Sequence, residues 1–203
     1  MKKWLIPVII IAVIVIASYS WAKGVNNTAV TLNESISEAW GNVETSYQRR
    51  NDLIGNLVNT VKGAADFEKS TLEAVINARS RATSVTIDPT NITPEQLNQF
   101  NQAQGGVSSA LSRLLVTVEK YPDLKANQNF LKLQDELAST ENQILTARTR
   151  FNEAVKPYNN HIKVFPNNLL AGMFGFTEKA YFKAVEGADL APEVEFDFDK
   201  KPQ

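Results

Sequence analysis

From Trp4 to Ala17 every side chain is apolar, and the run softens through Ser18-Tyr19-Ser20-Trp21-Ala22 before Lys23 and Gly24 end it. Water does not tolerate such a segment, so the chain must bury it or place it in lipid. The stretch Trp4 to Ala22 makes a helix of roughly 28 Å at 1.5 Å per residue, close to the hydrocarbon thickness of a bilayer. Trp4 at one end and Tyr19 with Trp21 at the other fall where aromatic rings prefer the interface. Pro7 lies in the first turns, where its missing N–H costs least. The lipid bilayer is therefore the first expected partner, through residues 4–22. Lys2 and Lys3 precede the segment and Lys23 alone follows it closely, so the positive-inside rule puts the N-terminus in the cytoplasm and residues 24–203 outside it. A cleaved secretory signal competes with this reading. Ser18, Ser20 and Ala22 suit a peptidase, but the run is long and aromatic residues crowd the cleavage points, which favours an anchor. With no cysteine after it, the segment is not a lipoprotein signal.

The remaining residues suit one domain of ordinary size. The absence of cysteine rules out disulfides, thiolate metal sites and cysteine nucleophiles. Without Lys2, Lys3 and Lys23 the chain keeps 18 basic against 22 acidic residues. That balance is no footprint for nucleic acid.

Periodicity along this part is helical. Val25, Ala29, Leu32, Ile36, Trp40, Val43, Tyr47, Ile54, Leu57, Val58 and Val61 alternate between spacings of three and four, with Asn26, Asn27 and Thr28 as N-cap residues. The stripe keeps its phase past Gly63 through Leu72, Val75, Ile76 and Arg79. A single very long helix or a turn near Lys62–Asp66 both fit, and ordinary helix lengths favour the turn. Residues 86–93 read as a loop. Thr93-Pro94-Glu95-Gln96 then gives an N-cap, a proline at the first helical position and a capping-box glutamine. That helix runs to about Lys120, with a weak middle at Gln102–Gly106. Tyr121-Pro122-Asp123 stops it and starts another, whose apolar stripe runs from Phe130 through Leu137, Ile144, Phe151, Val155, Tyr158 and Ile162 to Phe165, with a bend before Pro157. Beyond Phe165-Pro166, glycines punctuate an aromatic stretch, and Val194–Phe198 alternates like a short strand. The expected architecture is all-α: a transmembrane helix, residues 1–24, then an up-and-down antiparallel helical bundle of four helices, or three, over residues 25–166. An irregular aromatic-rich C-terminal arm, residues 167–203, closes the chain.

Three blocks resemble the LemA family of bacterial membrane-anchored helical proteins. They are Ala39-Trp40 with Arg49-Arg50-Asn51-Asp52-Leu53-Ile54; Glu68, Leu72, Val75 and Ala78-Arg79; and Tyr121-Pro122-Asp123-Leu124-Lys125-Ala126 with Thr140-Glu141-Asn142, Ala147-Arg148, Tyr158-Asn159 and Phe165-Pro166. The ending Ala191–Phe196 matches as well. The resemblance implies a bacterial inner-membrane anchor, a periplasmic or extracellular four-helix bundle, a turn near Gly63, and no catalytic residue set. The family usually has proline at the position of Gly55, so the resemblance implies a helix disturbance there, an implication that the departure to glycine weakens.

Arg50 falls on the inward row Ala29, Ile36, Val43, Arg50 and Leu57. A buried guanidinium needs partners. Glu141 is the expected one, in an interhelical network extended by Arg148 and Glu68, with Arg79 in reserve. Such a network either fixes the bundle's register or forms a ligand or partner site. His161, the only histidine, has no ligand cluster around it, and the serines lack a GxSxG elbow. Gly105-Gly106 lacks the lysine of a phosphate loop. Asn152, Asn159 and Asn160 suit either a small polar ligand or cross-helix hydrogen bonds. In the arm, Leu169, Leu170, Met173, Phe174, Phe176, Tyr181 and Phe182 either offer a membrane or partner surface or close one end of the bundle. No cofactor is expected. The leading expectation is a non-enzymatic, membrane-tethered scaffold or interaction module with a membrane or envelope protein as partner. A regulatory or sensory subunit of a membrane protease or signalling complex, and a hydrolase with an unrecognised site, stand as alternatives.

Overall fold

The computed structural model describes residues 4–63 and 67–183. The apolar segment and the first bundle helix are one element: α1 runs unbroken over Leu5–Lys62, 58 residues, about 87 Å at 1.5 Å per residue. Its apolar N-terminal third has no buried residue, whereas the stripe from Val25 to Val61 is buried as the periodicity predicts. The expected cap at Asn26–Thr28 does not form, because the preceding turns already supply helical carbonyls to those N–H groups. Nor is α1 interrupted at Gly55.

The helix ends at Lys62, and α2 (Lys69–Thr83) turns back along it. The long-helix alternative therefore falls. The connection from Ser84 to Thr93 is more than a loop, since Ile87 and Ile92 are buried in the core. α3 (Pro94–Val118) opens on the expected capping box. The Gln96 N–H donates to Thr93 Oγ1 at 3.2 Å and the Thr93 N–H to Gln96 Oε1 at 3.0 Å. The glycine pair at 105–106 does not break it. The single expected restart at Pro122 is two elements: a one-turn α4 (Pro122–Lys125), then α5 (Gln128–Lys163), capped by Asn127. α5 passes through Pro157 without ending. Phe165, expected on its stripe, lies beyond its last residue and is 78% exposed.

The four long helices run up and down, with α1 packed mainly on α5 and α2 on α3. They are unequal. α2 has 15 residues, so it reaches only about 22 Å back along α1. The half of the bundle nearer the apolar segment is therefore walled by α1, α5, the 84–93 connection and the start of α3. The arm fills what remains. It is not wholly irregular: Asn167–Met173 forms α6, and residues 174–183 make an extended strap along α5. Ala171 and Phe182 are buried in the same core as Trp40 and Phe151, so the expected domain boundary after Pro166 does not divide the core. The alternating stretch at 194–198 lies outside the described residues.

Candidate functional site: a polar layer between two apolar cores

The core is split in two. One cluster takes in Ile36, Trp40, Val43 and Tyr47 of α1, Leu97 and Phe100 of α3, and Ile144 to Ile162 of α5. The other takes in Leu53 to Val61, Val107 to Val118 and Phe130 to Leu137, with α2. Between them, at one level on three helices, lie the buried polar residues Arg50 and Asn51, Gln104, and Thr140. Across this layer Arg50 of α1 meets Gln104 of α3 and Glu141 of α5.

Arg50 is 2% exposed. Its Nη1 donates to Glu141 Oε1 at 3.0 Å and to Ser108 Oγ at 3.4 Å, while Nη2 donates to Gln104 Oε1. The guanidinium also stands over the Tyr47 ring, 4.9 Å from its centroid. Its Nε has no partner among the described residues. The expected pair Arg50–Glu141 is thus formed. Arg148 lies on the same side but reaches elsewhere: it donates to the Lys183 carbonyl at 3.1 Å and covers the Phe182 ring at 4.6 Å. Burial raises the Tyr47 phenol above its ordinary pKa, with Arg148 and Arg50 pulling the other way. Glu68 does not join this network. It stands at the N-cap position of α2, where its carboxylate accepts from the Ser70 hydroxyl without capping a backbone N–H. Arg79 is also elsewhere, its guanidinium laid against Gly55.

Glu141, with a side chain 48% exposed, stands at the mouth of a groove of about 560 Å³ between α3 and α5, lined also by Arg50, Gln104, Asn101 and Arg148. The far side of Glu141 borders a second groove of about 610 Å³, lined by Leu111, Leu115, Leu137 and Ala138. The seam between α3 and α5 is open at this level. It presents the Glu141 carboxylate, the Arg148 guanidinium and leucines. Among the described residues no three His, Asp or Glu side chains gather as metal ligands. His161 is a brace: its Nε2 meets the Val25 carbonyl at 2.9 Å, and Asn167 Nδ2 meets its Nδ1 at 3.4 Å.

The aromatic arm divides. Phe182, for which a membrane or partner surface and closure of the bundle both stood open, is buried and stacked on Trp40, with centroids 6.0 Å apart and planes at 10°. Phe176 is half-buried against Tyr158. Only Phe174 and Tyr181 of the four are exposed. Asn152 and Asn159, expected to bind a small polar ligand or to hydrogen-bond across helices, instead hold the strap. Asn152 Nδ2 donates to the Phe182 carbonyl and the Phe182 N–H donates to Asn152 Oδ1, each at 2.9 Å. Asn159 does the same for Lys179, again at 2.9 Å twice. Seven residues of α5 and three of an extended strap both advance about 10 Å, which is why two asparagines one heptad apart clamp positions 179 and 182. That heptad spacing beside Phe151 and Tyr158 was the available signal. Lys179 is itself buried, and its Nζ donates to the Thr90 carbonyl, tying the strap to the 84–93 connection.

A divided helical bundle carried on one long apolar N-terminal helix defines a class of proteins built around a membrane-compatible stalk. The model of the LemA family matches residues 39–196, and the chain belongs to that family. It is similar to the magnetosome protein MamQ 2 of Paramagnetospirillum magneticum, 29% identical over 180 residues, with 80% of this chain and 66% of that relative covered. It is similar also to the magnetosome protein MamQ of Magnetospirillum gryphiswaldense, at 28% over 188 residues (83% and 69%). To the protein LemA of Metamycoplasma hominis it is 24% identical over 164 residues (80% and 71%). The chain thus spans just under two thirds of the length of the first of these relatives.

Proposed function

We propose that this chain is a membrane-tethered interaction module, anchored in a bacterial inner membrane with Lys2 and Lys3 on the cytoplasmic side and the bundle on the other. One observation carries the reading: α1 continues from the apolar segment into the bundle core without a joint. A cleaved signal has no reason to share a rigid helix with the folded domain, whereas a stalk does. Tethering confines the bundle near other membrane proteins, so weak contacts suffice. The two Nη groups of Arg50 are committed to Glu141, Gln104 and Ser108, which suits a register lock under a docking seam better than a catalytic group. The names of the relatives give a structure or a family rather than a reaction.

The test is site-specific photocrosslinking in native membranes. A crosslinker at Asn101 or Asp135, on the α3–α5 seam, is expected to give one discrete adduct with an envelope protein. The adduct disappears when residues 1–24 are exchanged for a cleaved signal, and is absent from an exposed α1 position such as Glu44. Equal adducts from all positions, or none from the seam, would overturn the proposal.

A further inference from the structure

We propose that α6 and the residues beside it form a second membrane contact, a foot that rests in the lipid interface next to the span. The inference relies on the reading of Trp4–Ala22 as membrane-spanning and adds to it a surface of the bundle itself. Its location comes from three contacts. Trp21 Nε1 donates to Asn167 Oδ1 at 3.4 Å, His161 bonds the Val25 carbonyl, and Asn167 Nδ2 donates to the His161 carbonyl at 3.2 Å. They fix the start of α6 to the turn of α1 where the apolar segment ends. Helical side chains slant toward the N-terminus, so the Trp21 ring, and with it Asn167, lies on the lipid side of its own Cα.

The chemistry of the foot is that of an interface. Val164 to Gly175 contains no charged residue. Ala171 turns inward and is buried, while Phe165, Leu169 and Met173, spaced by four, are 78%, 59% and 80% exposed and Phe174 is 44% exposed. Four large apolar side chains exposed in one uncharged stretch, tied beside the end of the exposed span, would be costly in water. An amphipathic element at the level of an aromatic belt instead sinks its apolar face into the boundary between headgroups and acyl chains. The polar end of α6, Asn167, is the part bonded back to the bundle. Two contacts, span and foot, fix the direction in which the α3–α5 seam faces along the membrane; a lone span leaves the bundle free to rotate about its axis.

Because the native chain has no cysteine, single thiols report cleanly. Full-length protein is reconstituted in anionic vesicles with an environment-sensitive fluorophore at one of three substitutions: Met173→Cys in the foot, Tyr19→Cys in the span, or Val116→Cys, an equally exposed apolar position on α3. The foot predicts a blue shift and loss of emission with doxyl-labelled lipid at Met173→Cys and Tyr19→Cys, and neither at Val116→Cys. Leu169→Cys must repeat the Met173→Cys result. Quenching at Tyr19→Cys without quenching at Met173→Cys overturns the foot and leaves the span standing. A blue shift at Met173→Cys that lipid quenchers do not reach means protein, such as a second copy, covers the patch, and also overturns it. Absence of quenching at all sites removes the span reading, and the foot with it.

Discussion

Asn152 holds Phe182 by both polar atoms of its main chain, giving a hydrogen bond to the carbonyl and taking one from the N–H, each at 2.9 Å. The side-chain amide does here what a neighbouring strand would do, and the ring it positions lies flat on Trp40.

Asn152→Ala is expected to cost about 1–3 kcal/mol, from two lost hydrogen bonds at about 1 kcal/mol each and partly buried strap groups left unpaired. Asn152→Asp keeps the acceptor and turns a carboxylate on the Phe182 carbonyl, so it is no rescue. Phe182→Ala removes the stacked ring and is expected to cost about 3–5 kcal/mol. Urea unfolding of the full chain in nanodiscs, followed through tryptophan fluorescence, checks the set. Equal stability of Asn152→Ala and wild type would contradict the clamp.

Arg50 and Glu141 are expected to be coupled rather than additive. Arg50→Met joins the two apolar clusters but strands the buried Gln104, at about 1–3 kcal/mol. Glu141→Ala leaves a buried guanidinium without its counter-ion; the open mouth of the groove admits water, so the cost is again about 1–3 kcal/mol rather than that of a fully enclosed pair. The double variant should lose about 0.5–3 kcal/mol less than the two single losses combined. Strict additivity in a double-mutant cycle would show that the ion pair does not matter to the fold.

Lys179 gives the bundle an alkaline signature. Burial holds its ammonium below the ordinary 10.5, with Asp88 opposing. The unfolded chain therefore binds the proton over a range where the folded chain has released it, and stability rises with pH from the lowered value up to about 10.5. Tyr47 and Tyr158, raised above 10.0 by burial, act in the opposite sense: above about that pH the unfolded phenols ionise first and stability falls. Comparing wild type with Lys179→Met cancels the tyrosines. The melting temperature of wild type should gain on the variant as the pH rises toward 10.5; parallel curves would contradict the assignment.

Gly55 is helical, and a Cβ there would meet the Arg79 guanidinium at 3.5–3.6 Å, ordinary contact. Gly55→Ala is thus expected to stabilise by about 0.5–1 kcal/mol, by removing the glycine's unfolded-state freedom. A lower denaturation midpoint for the variant would mean that Arg79 cannot yield.

Much of this fold was legible because burial writes a period into the sequence. The stripe from Val25 to Val61, the capping box at Thr93–Gln96 and the pairing of Arg50 with Glu141 all follow from spacing and from the cost of an unpaired buried charge. The joint between span and bundle was not legible, since Asn26-Asn27-Thr28 would cap a helix starting there and says nothing once the helix has started earlier. Glu68 was drawn into the network by its residue type, although its position at the start of α2 places it elsewhere. The strap stayed hidden for a different reason: Asn152 and Asn159 bind main-chain groups, and a main chain leaves no mark on residue identity. Phe182 was left between a surface and the end of the bundle for want of any local pattern pointing to Trp40. Gln104 was masked by the two glycines that follow it.

The central claim is that α1 is one rigid helix from membrane to bundle. It is tested most directly by the distance between spin labels at Tyr19→Cys and Glu44→Cys in nanodiscs, measured by pulsed dipolar spectroscopy. Both positions are exposed, and 25 residues of unbroken helix separate them, about 38 Å at 1.5 Å per residue. A narrow distribution centred near that value is the predicted result. A broad distribution, or one displaced to shorter distances, would place a hinge between span and bundle and contradict the account.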